Sequence, residues 1–283
     1  MSAERHPILI GCSGWSYPDW EGPFYPVGMA PGDYLEYYAD RFPIVEVDSS
    51  FYRPPSAKMV KSWRERTPER FKFALKVPRV ITHEKQLQDC EADVAEFLEA
   101  IRPLGPKLMV ALLQLGYFNR AAFENLDAFL DTLGPFLEGW PIEEVPLAVE
   151  IRNPSWMVGR FARVLNDHGA SLVLTEQTWM PRPAEVVAKL DPVTGPLGFV
   201  RLLGDREAIE KVTTTWDKLV FDRSAELAET AEVISVMARR VPVVVFANNH
   251  YAGHSPATAR QLYGLLGLPE PVPPERPRTT LFD

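Results

Sequence analysis

The chain has 283 residues, of which 46% are hydrophobic and 24% charged, an ordinary globular composition with enough apolar residues for a large core. Its formal net charge of −8 at pH 7 argues against broad, non-specific nucleic-acid binding through a basic face. Two cysteines cannot build a disulfide framework, and neither a signal peptide nor an apolar run of about 18 residues is visible. We therefore expect a cytoplasmic protein with no membrane partner.

Short apolar runs alternate with amphipathic stretches along the chain. Eight runs have the length and composition of buried strands: Ile8–Ile10, Ile44–Asp48, Phe71–Val77, Leu108–Leu115, Leu147–Val149, Ser171–Thr175, Phe199–Leu202 and Val243–Ala247. The stretches between and after them predict helices at Leu35–Phe42, Ala57–Arg66, Val94–Ile101, Leu126–Leu133, Phe161–His168, Pro183–Leu190, Leu227–Met237 and Ala259–Leu266. The last helix is expected to begin with Ser255 as its N-cap and Pro256 at its first position.

Strict alternation of eight strands and eight helices predicts an α/β fold, a single (β/α)8 TIM barrel. The alternative is an open, doubly wound sheet, but Gly11–Gly14 does not fit the GxGxxG turn of dinucleotide-binding proteins. The barrel domain is expected to span residues 1–267, with a long loop, Ser16–Gly32, after the first strand. A Pro-rich C-terminal arm is expected at residues 268–283.

Pro146–Trp156 shows how each unit carries polar groups to one end of the barrel. Its apolar strand leads directly to Glu150 and Arg152, and Pro154 then favours the start of a helix. In TIM barrels the functional site lies at the carboxyl ends of the strands, so the residues there are the site candidates. They are Trp15, Glu46, Asp48, Tyr52, Lys76, His83, Gln114, Glu150, Arg152, Trp156, Glu176, Gln177, Arg201, Asn248, Asn249 and His250.

Seven sequence blocks occur in the order of a known family: GCSGWSYPDWEGPFYP, VEVDSSFYR, FALKVPRVITH, the strand ending in Gln114, AVEIRNPSW, VRLLG and FANNH. Together they resemble the domain-of-unknown-function 72 (YecE-like) family over almost the whole chain. The resemblance implies a TIM barrel but no settled activity. This chain has Asp48 where the family usually has Asn, Leu203 where a His often stands, and Gln114–Tyr117 where the family tends to read QLPP.

Two inward-facing acids, Glu46 and Glu150, are predicted to carry out acid/base catalysis, with Lys76 and His83 as second-rank catalytic groups. The alternative is an internal salt-bridge lattice in which neighbouring basic residues neutralise the acids. A divalent metal ion held by carboxylates is a lesser alternative, because no HxH or HExxH spacing is present. No metal ligand is assigned and the cofactor stays open.

Basic side chains at the strand ends predict a local positive potential, and hence a small substrate that carries a phosphate or carboxylate. The opposing interpretation is that these cations only balance the nearby acids. The residues predicted to bind substrate are Trp15, Asp48, Tyr52, Gln114, Arg152, Trp156, Arg201, Asn248 and Asn249.

The sequence thus favours an enzyme of the hydrolase, lyase or isomerase type that acts on a small polar, anionic substrate. The alternative is a non-catalytic protein that binds a ligand or associates with nucleic acid and docks a partner through its C-terminal tail. Thr280–Asp283 resembles a degenerate sliding-clamp motif without its leading Gln, and a tail folded back on its own barrel competes with that interpretation. The oligomeric state stays open.

Overall fold

The computed structural model describes residues 5–271 and contains eight parallel strands in a closed barrel, as predicted. Each strand pairs with the next one along the chain, and the eighth closes the barrel against the first. The strands are β1 (Ile8–Ser13), β2 (Ile44–Val47), β3 (Lys72–Lys76), β4 (Leu108–Gln114), β5 (Leu147–Glu150), β6 (Ser171–Gln177), β7 (Gly198–Gly204) and β8 (Val243–Ala247).

Helices surround the barrel, and all eight predicted helices are present. The helices are α1 (Tyr34–Arg41), α2 (Ala57–Glu65), α3 (Glu91–Ile101), α4 (Leu126–Gly139), α5 (Gly159–Asp167), α6 (Pro183–Val187), α7 (Arg206–Glu210), α8 (Ser224–Met237), α9 (Asn249–Ala252) and α10 (Ser255–Leu265). The sequence did not predict α7 and α9, because four or five residues are too few to show a helical period. The predicted cap of α10 is wrong by one residue, since His254 is the N-cap and Ser255 is already helical.

Alternating strand residues divide the core into two layers. The barrel interior is filled by the apolar residues Ile44, Ala74, Val110, Leu112, Ala148, Val173, Leu197, Phe199, Val244 and Phe246. Their neighbours along each strand face outward and pack against the helices. Four charged side chains also face the barrel interior, because each lies two positions after an interior residue of its strand. They are Glu46 on β2, Lys76 on β3, Glu150 on β5 and Arg201 on β7. The period of the strands therefore places a charged layer on top of an apolar one.

The long loop after β1 packs as a small aromatic core beside the barrel. Trp20 and Tyr25 are fully buried, and the ring of Tyr25 stacks on that of Tyr34 with centroids 4.0 Å apart. Such packing anchors a loop that has little regular structure of its own.

The predicted boundary at residue 268 falls near the end of the described region. The tail Thr280–Asp283, with its predicted docking role, lies outside the described residues. Within residues 5–271, no helix has both the length and the apolar character needed to cross a membrane.

Candidate functional site at the carboxyl ends of the strands

A cavity of about 470 Å³ opens at the carboxyl ends of the strands, where the barrel fold places functional sites. Its lining includes the last residues of β3, β4, β6 and β7, together with the loops that follow the strands. The described lining residues are Tyr17, Asp48, Phe51, Tyr52, Lys76, Gln114, Arg152, Gln177, Trp179, Arg201, Leu203, Gly204, Arg206, Asn248 and His250.

Arg201 joins the two glutamates that the sequence predicted to be catalytic. Its Nε donates to Glu46 Oε2 at 2.8 Å and its Nη2 to Glu46 Oε1 at 2.6 Å, while its Nη1 donates to Glu150 Oε2 at 2.7 Å. Both glutamates are 0% exposed, and neither is among the described residues that line the cavity. The arrangement matches the salt-bridge lattice, with the acids beneath the cavity and the guanidinium at its floor.

Arg152 extends this cluster into the cavity wall. Its Nη2 lies 2.5 Å from Glu150 Oε1, and its Nη1 donates to the side-chain oxygen of Gln177. Its buried Nε has no hydrogen-bond partner among residues 5–271. An unpaired buried donor is unfavourable, and other parts of the Arg152 side chain line the cavity.

The two buried glutamates have different pKa values for a physical reason. Burial raises the pKa of Glu46 above its ordinary value, and Arg201 opposes this only in part, because Asp48 adds repulsion. Burial also acts to raise the pKa of Glu150, but Arg152 and Arg201 together outweigh it and leave that pKa below its ordinary value. Burial alone would lower the pKa of Arg201, but the negative charges of Glu150 and Glu46 outweigh burial and raise it.

Lys76 and Asp48 form a second charged pair, and both line the cavity. Lys76 Nζ lies 3.3 Å from Asp48 Oδ1 and 4.7 Å from the centre of the Phe51 ring. The side chain of Lys76 is 11% exposed and that of Asp48 is 34% exposed. This pair therefore reaches the space where a ligand would sit, which the glutamates beneath Arg201 do not.

The opposite rim is formed by His250 and its neighbours. Its Nδ1 lies 2.7 Å from Asn248 Oδ1 and its Nε2 lies 3.1 Å from Glu210 Oε1. Burial lowers the pKa of His250, although its hydrogen bond to the Glu210 carboxylate opposes this. Arg206, on the same rim, was missed in the sequence because α7 is too short to recognise. The local signal that could have indicated this helix start is Asp205, a favoured N-cap residue directly before Arg206.

Besides Glu46, Glu150 and Glu176, four predicted site residues do not line this cavity. Trp15 packs edge-on against Trp63, and Trp156 stacks on Phe129 with ring centroids 4.9 Å apart. Asn249 is buried, and its Oδ1 accepts hydrogen bonds that join the β1 loop to α10. These three stabilise loops. The fourth, His83, lines an adjacent cavity of about 390 Å³ beside Gly116 and Tyr117.

His83 is half-buried and lines only the smaller of the two cavities. Its Nδ1 lies 2.8 Å from Thr82 Oγ1, and its ring meets the ring of Phe51 edge-on at 5.1 Å. Burial lowers its pKa, and the positive charges of Lys76 and Arg79 lower it further. The remaining predicted residues that bind substrate, Asp48, Tyr52, Gln114, Arg152, Arg201 and Asn248, are brought together around the main cavity.

The residues at the floor of the cavity do not suit a divalent metal ion. Both carboxylate oxygens of Glu46 and both of Glu150 already face a guanidinium. In the part of the chain that the structure describes, no group of three or more His, Cys, Asp or Glu side chains could hold a metal. Calcium, magnesium and zinc sites need several such free ligands.

Comparison with known proteins gives one family. The family described as "Protein of unknown function DUF72" matches residues 9–281. UPF0759 protein YecE of Escherichia coli K12 is 35% identical over 162 residues, which cover 56% of this chain and 54% of YecE. The chain thus spans about half the length of the curated relatives that it matches.

Solved structures share the fold. A DUF72 family protein from Thermotoga maritima has a TM-score of 0.74 and 28% identity, covering 93% of this chain and all of that one. The IOLI protein, solved with a bound zinc atom, has a TM-score of 0.52 and 12% identity, covering 92% of this chain and 98% of that one. A likeness at 12% identity concerns the barrel alone.

Proposed function

The chain belongs to the DUF72 family of unknown function, and on that premise we propose that it binds a small anionic molecule at the mouth of its barrel. The observation that supports the proposal is the excess of cationic over acidic residues in the cavity lining. Four described lining residues are cationic, namely Lys76, Arg152, Arg201 and Arg206, whereas Asp48 is the one acidic residue among them. A phosphate or carboxylate group is the ligand chemistry that such a lining recognises.

The arginines have donors to spare for a ligand. A guanidinium carries five N–H groups, and Arg201 uses three of them on Glu46 and Glu150. Two N–H groups of Arg201 therefore remain, and both Arg201 and Arg152 line the cavity. A phosphate or carboxylate oxygen satisfies such donors with charge-assisted hydrogen bonds, which are stronger than neutral ones.

The attraction is local, because acids lie directly behind the cations. Glu46 and Glu150 balance Arg201 and Arg152, and Asp48 balances Lys76. The cluster is thus close to neutral. Its three cations line the cavity, Glu46 and Glu150 are buried behind them, and Asp48 is the one acid of the cluster that also lines the cavity. Such an arrangement favours a compact anion in direct contact over a long polyanion attracted from a distance.

The proposal extends to catalysis through the pair that reaches the cavity. Asp48 is placed to accept a proton from a bound molecule and Lys76 to donate one, which suits an isomerase or lyase step. Glu46 and Glu150 then act as positioning residues that hold Arg201. This assignment moves the acid/base role away from the two glutamates, because their carboxylates are enclosed beneath the guanidinium.

Titration calorimetry with inorganic phosphate, sugar phosphates and hydroxycarboxylates tests the binding. We expect Arg152→Gln to weaken the tightest of these ligands about tenfold or more, since a charge-assisted hydrogen bond contributes roughly 1.5–3 kcal/mol. Arg102→Gln is the matched control, because Arg102 pairs with Glu144 on the surface, outside the cavity. Equal affinities of Arg152→Gln and the control, or no binding of any compound by the wild type, would contradict the proposal.

Catalysis is tested separately with the ligand that binds best. We expect Asp48→Asn to retain binding and to lose turnover when substrate and product are followed by NMR. If the wild type binds the compound and never converts it or any analogue, the non-catalytic binding protein is the better description.

A further inference from the structure

The guanidinium of Arg201 is buried: the residue is 2% exposed and lies between two acids that are 0% exposed. A charge taken out of water is unfavourable unless it is paired and hydrogen-bonded. Here, two carboxylates surround one cation at the centre of the barrel mouth, where a metal-dependent site would hold its ion.

We propose that Arg201, held by Glu46 and Glu150, is the permanent cation of the site, and that the site binds its anion without a divalent metal. This inference rests on the proposed function for the identity of the ligand, but not for the absence of the metal.

The geometry fixes the guanidinium in place. Glu46 accepts two parallel hydrogen bonds from Nε and Nη2, and Glu150 accepts a third from Nη1. Paired bonds of this kind determine the orientation of the guanidinium plane as well as its position. Arg201 lines the cavity, so its positive charge meets a ligand there in one fixed orientation, and a preorganised charge of this kind stabilises a developing negative charge.

The carboxylates that hold Arg201 are the ones a metal would need. All four carboxylate oxygens of Glu46 and Glu150 face Arg201 or Arg152. A divalent ion entering between them would have to displace Arg201 and leave a buried guanidinium without its acceptors. It would also add positive charge beside Lys76, whose Nζ is already held near the floor.

An arginine differs from a metal ion in two ways that can be measured. It cannot dissociate, so ligand binding does not depend on chelators. It donates hydrogen bonds in a fixed fork and offers no open coordination position, so added metal ions give no gain.

The experiment uses the wild-type protein, purified without chelator and without a metal-affinity tag. We expect mass spectrometry of the elements to find no stoichiometric metal and titration with Mn²⁺ or Zn²⁺ to show no site that depends on Glu46 or Glu150. The affinity for inorganic phosphate should stay the same in the presence of EDTA. One bound metal per chain that Glu150→Gln or Glu46→Gln removes would overturn the inference, whereas a metal unaffected by both variants lies elsewhere and leaves it standing.

Arg201→Lys tests the positioning directly, because lysine keeps the charge and loses the fork. We expect phosphate binding to weaken about tenfold or more in folded Arg201→Lys, with no recovery on adding Mn²⁺. Unchanged affinity, or recovery with the metal, would overturn the assignment of Arg201. If this variant fails to fold, the wild-type measurements still decide. If no tested anion binds to the wild type, the proposed function fails, while the metal measurements remain decisive for the central cluster.

Discussion

Two regions near the same end of the barrel each contain buried glutamate, but only one of them pairs the glutamate with arginine. Inside the barrel, Glu46 and Glu150 are ion-paired with Arg201 and Arg152, although Glu150 Oε1, which lies 2.5 Å from Arg152 Nη2, accepts no hydrogen bond of good geometry within residues 5–271. On the outer face of β6, Glu176 is 7% exposed, and its Oε2 has no hydrogen-bond partner within residues 5–271. Burial raises its pKa to about 7, and Arg182 opposes this only in part.

The difference shows that burial alone does not define a functional acid. The inner acids are committed to a guanidinium, so they serve to hold a cation at the cavity floor. The outer acid lies beside Tyr251 and Arg223, whose hydroxyl and Nε are likewise unpaired in the described chain. The inner acids are ion-paired with arginines, whereas Glu176 has no ion pair within residues 5–271, so mutations should have opposite effects on stability in the two places.

The largest effect is expected when the inner network loses its cation. Arg201→Met leaves two buried carboxylates without their partner, which should lower the free energy of unfolding by roughly 3–5 kcal/mol at pH 7. Urea unfolding followed by circular dichroism measures the change. Arg102→Met is the control, because Arg102 is a cation that pairs with Glu144 on the surface. A loss no larger than that of the control would show that the network contributes little.

Glu150→Gln should have a smaller effect that depends on pH. The folded-state pKa of Glu150 lies below its ordinary value of 4.5, so its stabilisation is complete above pH 4.5 and is lost as the pH falls through the lowered pKa. We expect a loss of about 1.5–3 kcal/mol at pH 7 that shrinks toward pH 3. Urea titrations at both pH values give the difference, and a loss that is constant with pH would contradict this account.

Glu176→Gln should act in the opposite direction. The folded-state pKa of about 7 lies above the ordinary 4.5, so the unfolded chain ionises first and stability falls as the pH rises from 4.5 to 7. Removing the group should stabilise the protein at pH 8 by roughly 1–2 kcal/mol, allowing for partial solvent screening, and should change little at pH 4. Glu232→Gln, on the exposed side of α8, is the control. Destabilisation of Glu176→Gln at pH 8 would mean that this region is as fully paired as the inner one.

The smallest effect is expected from Tyr251→Phe. Its buried hydroxyl has no partner in the described chain, so removing it should change the free energy of unfolding by less than about 1 kcal/mol, toward greater stability. Thermal unfolding at pH 8 gives the comparison with the wild type. A clear loss of stability would reveal a hydrogen bond to an ordered water or ligand beside Glu176.

The architecture could be predicted because it depends on periodic signals. Continuous apolar runs identified all eight strands, and their alternation with helices predicted the barrel. The cationic residues of the mouth could also be named from the sequence, since Lys76, Arg152 and Arg201 stand at or just after strand ends and line the cavity.

The roles within the site could not be predicted, because they depend on side-chain contacts across the barrel. Nothing local indicates that Arg201 reaches Glu46, which is 155 positions away, and encloses it. Trp15 and Trp156 looked like cavity walls, yet each found an aromatic partner in the core instead. Arg206 was missed because it belongs to a helix of five residues.

The central claim is that the cavity is an anion site built on Arg201. Crystals grown with tungstate, a heavy analogue of phosphate, would test it through anomalous scattering from tungsten. The account predicts one strong peak in the cavity, with oxygen atoms within hydrogen-bond distance of Arg201 and Arg152. An empty cavity with tungstate only on the outer surface, or a metal ion between Glu46 and Glu150, would contradict it.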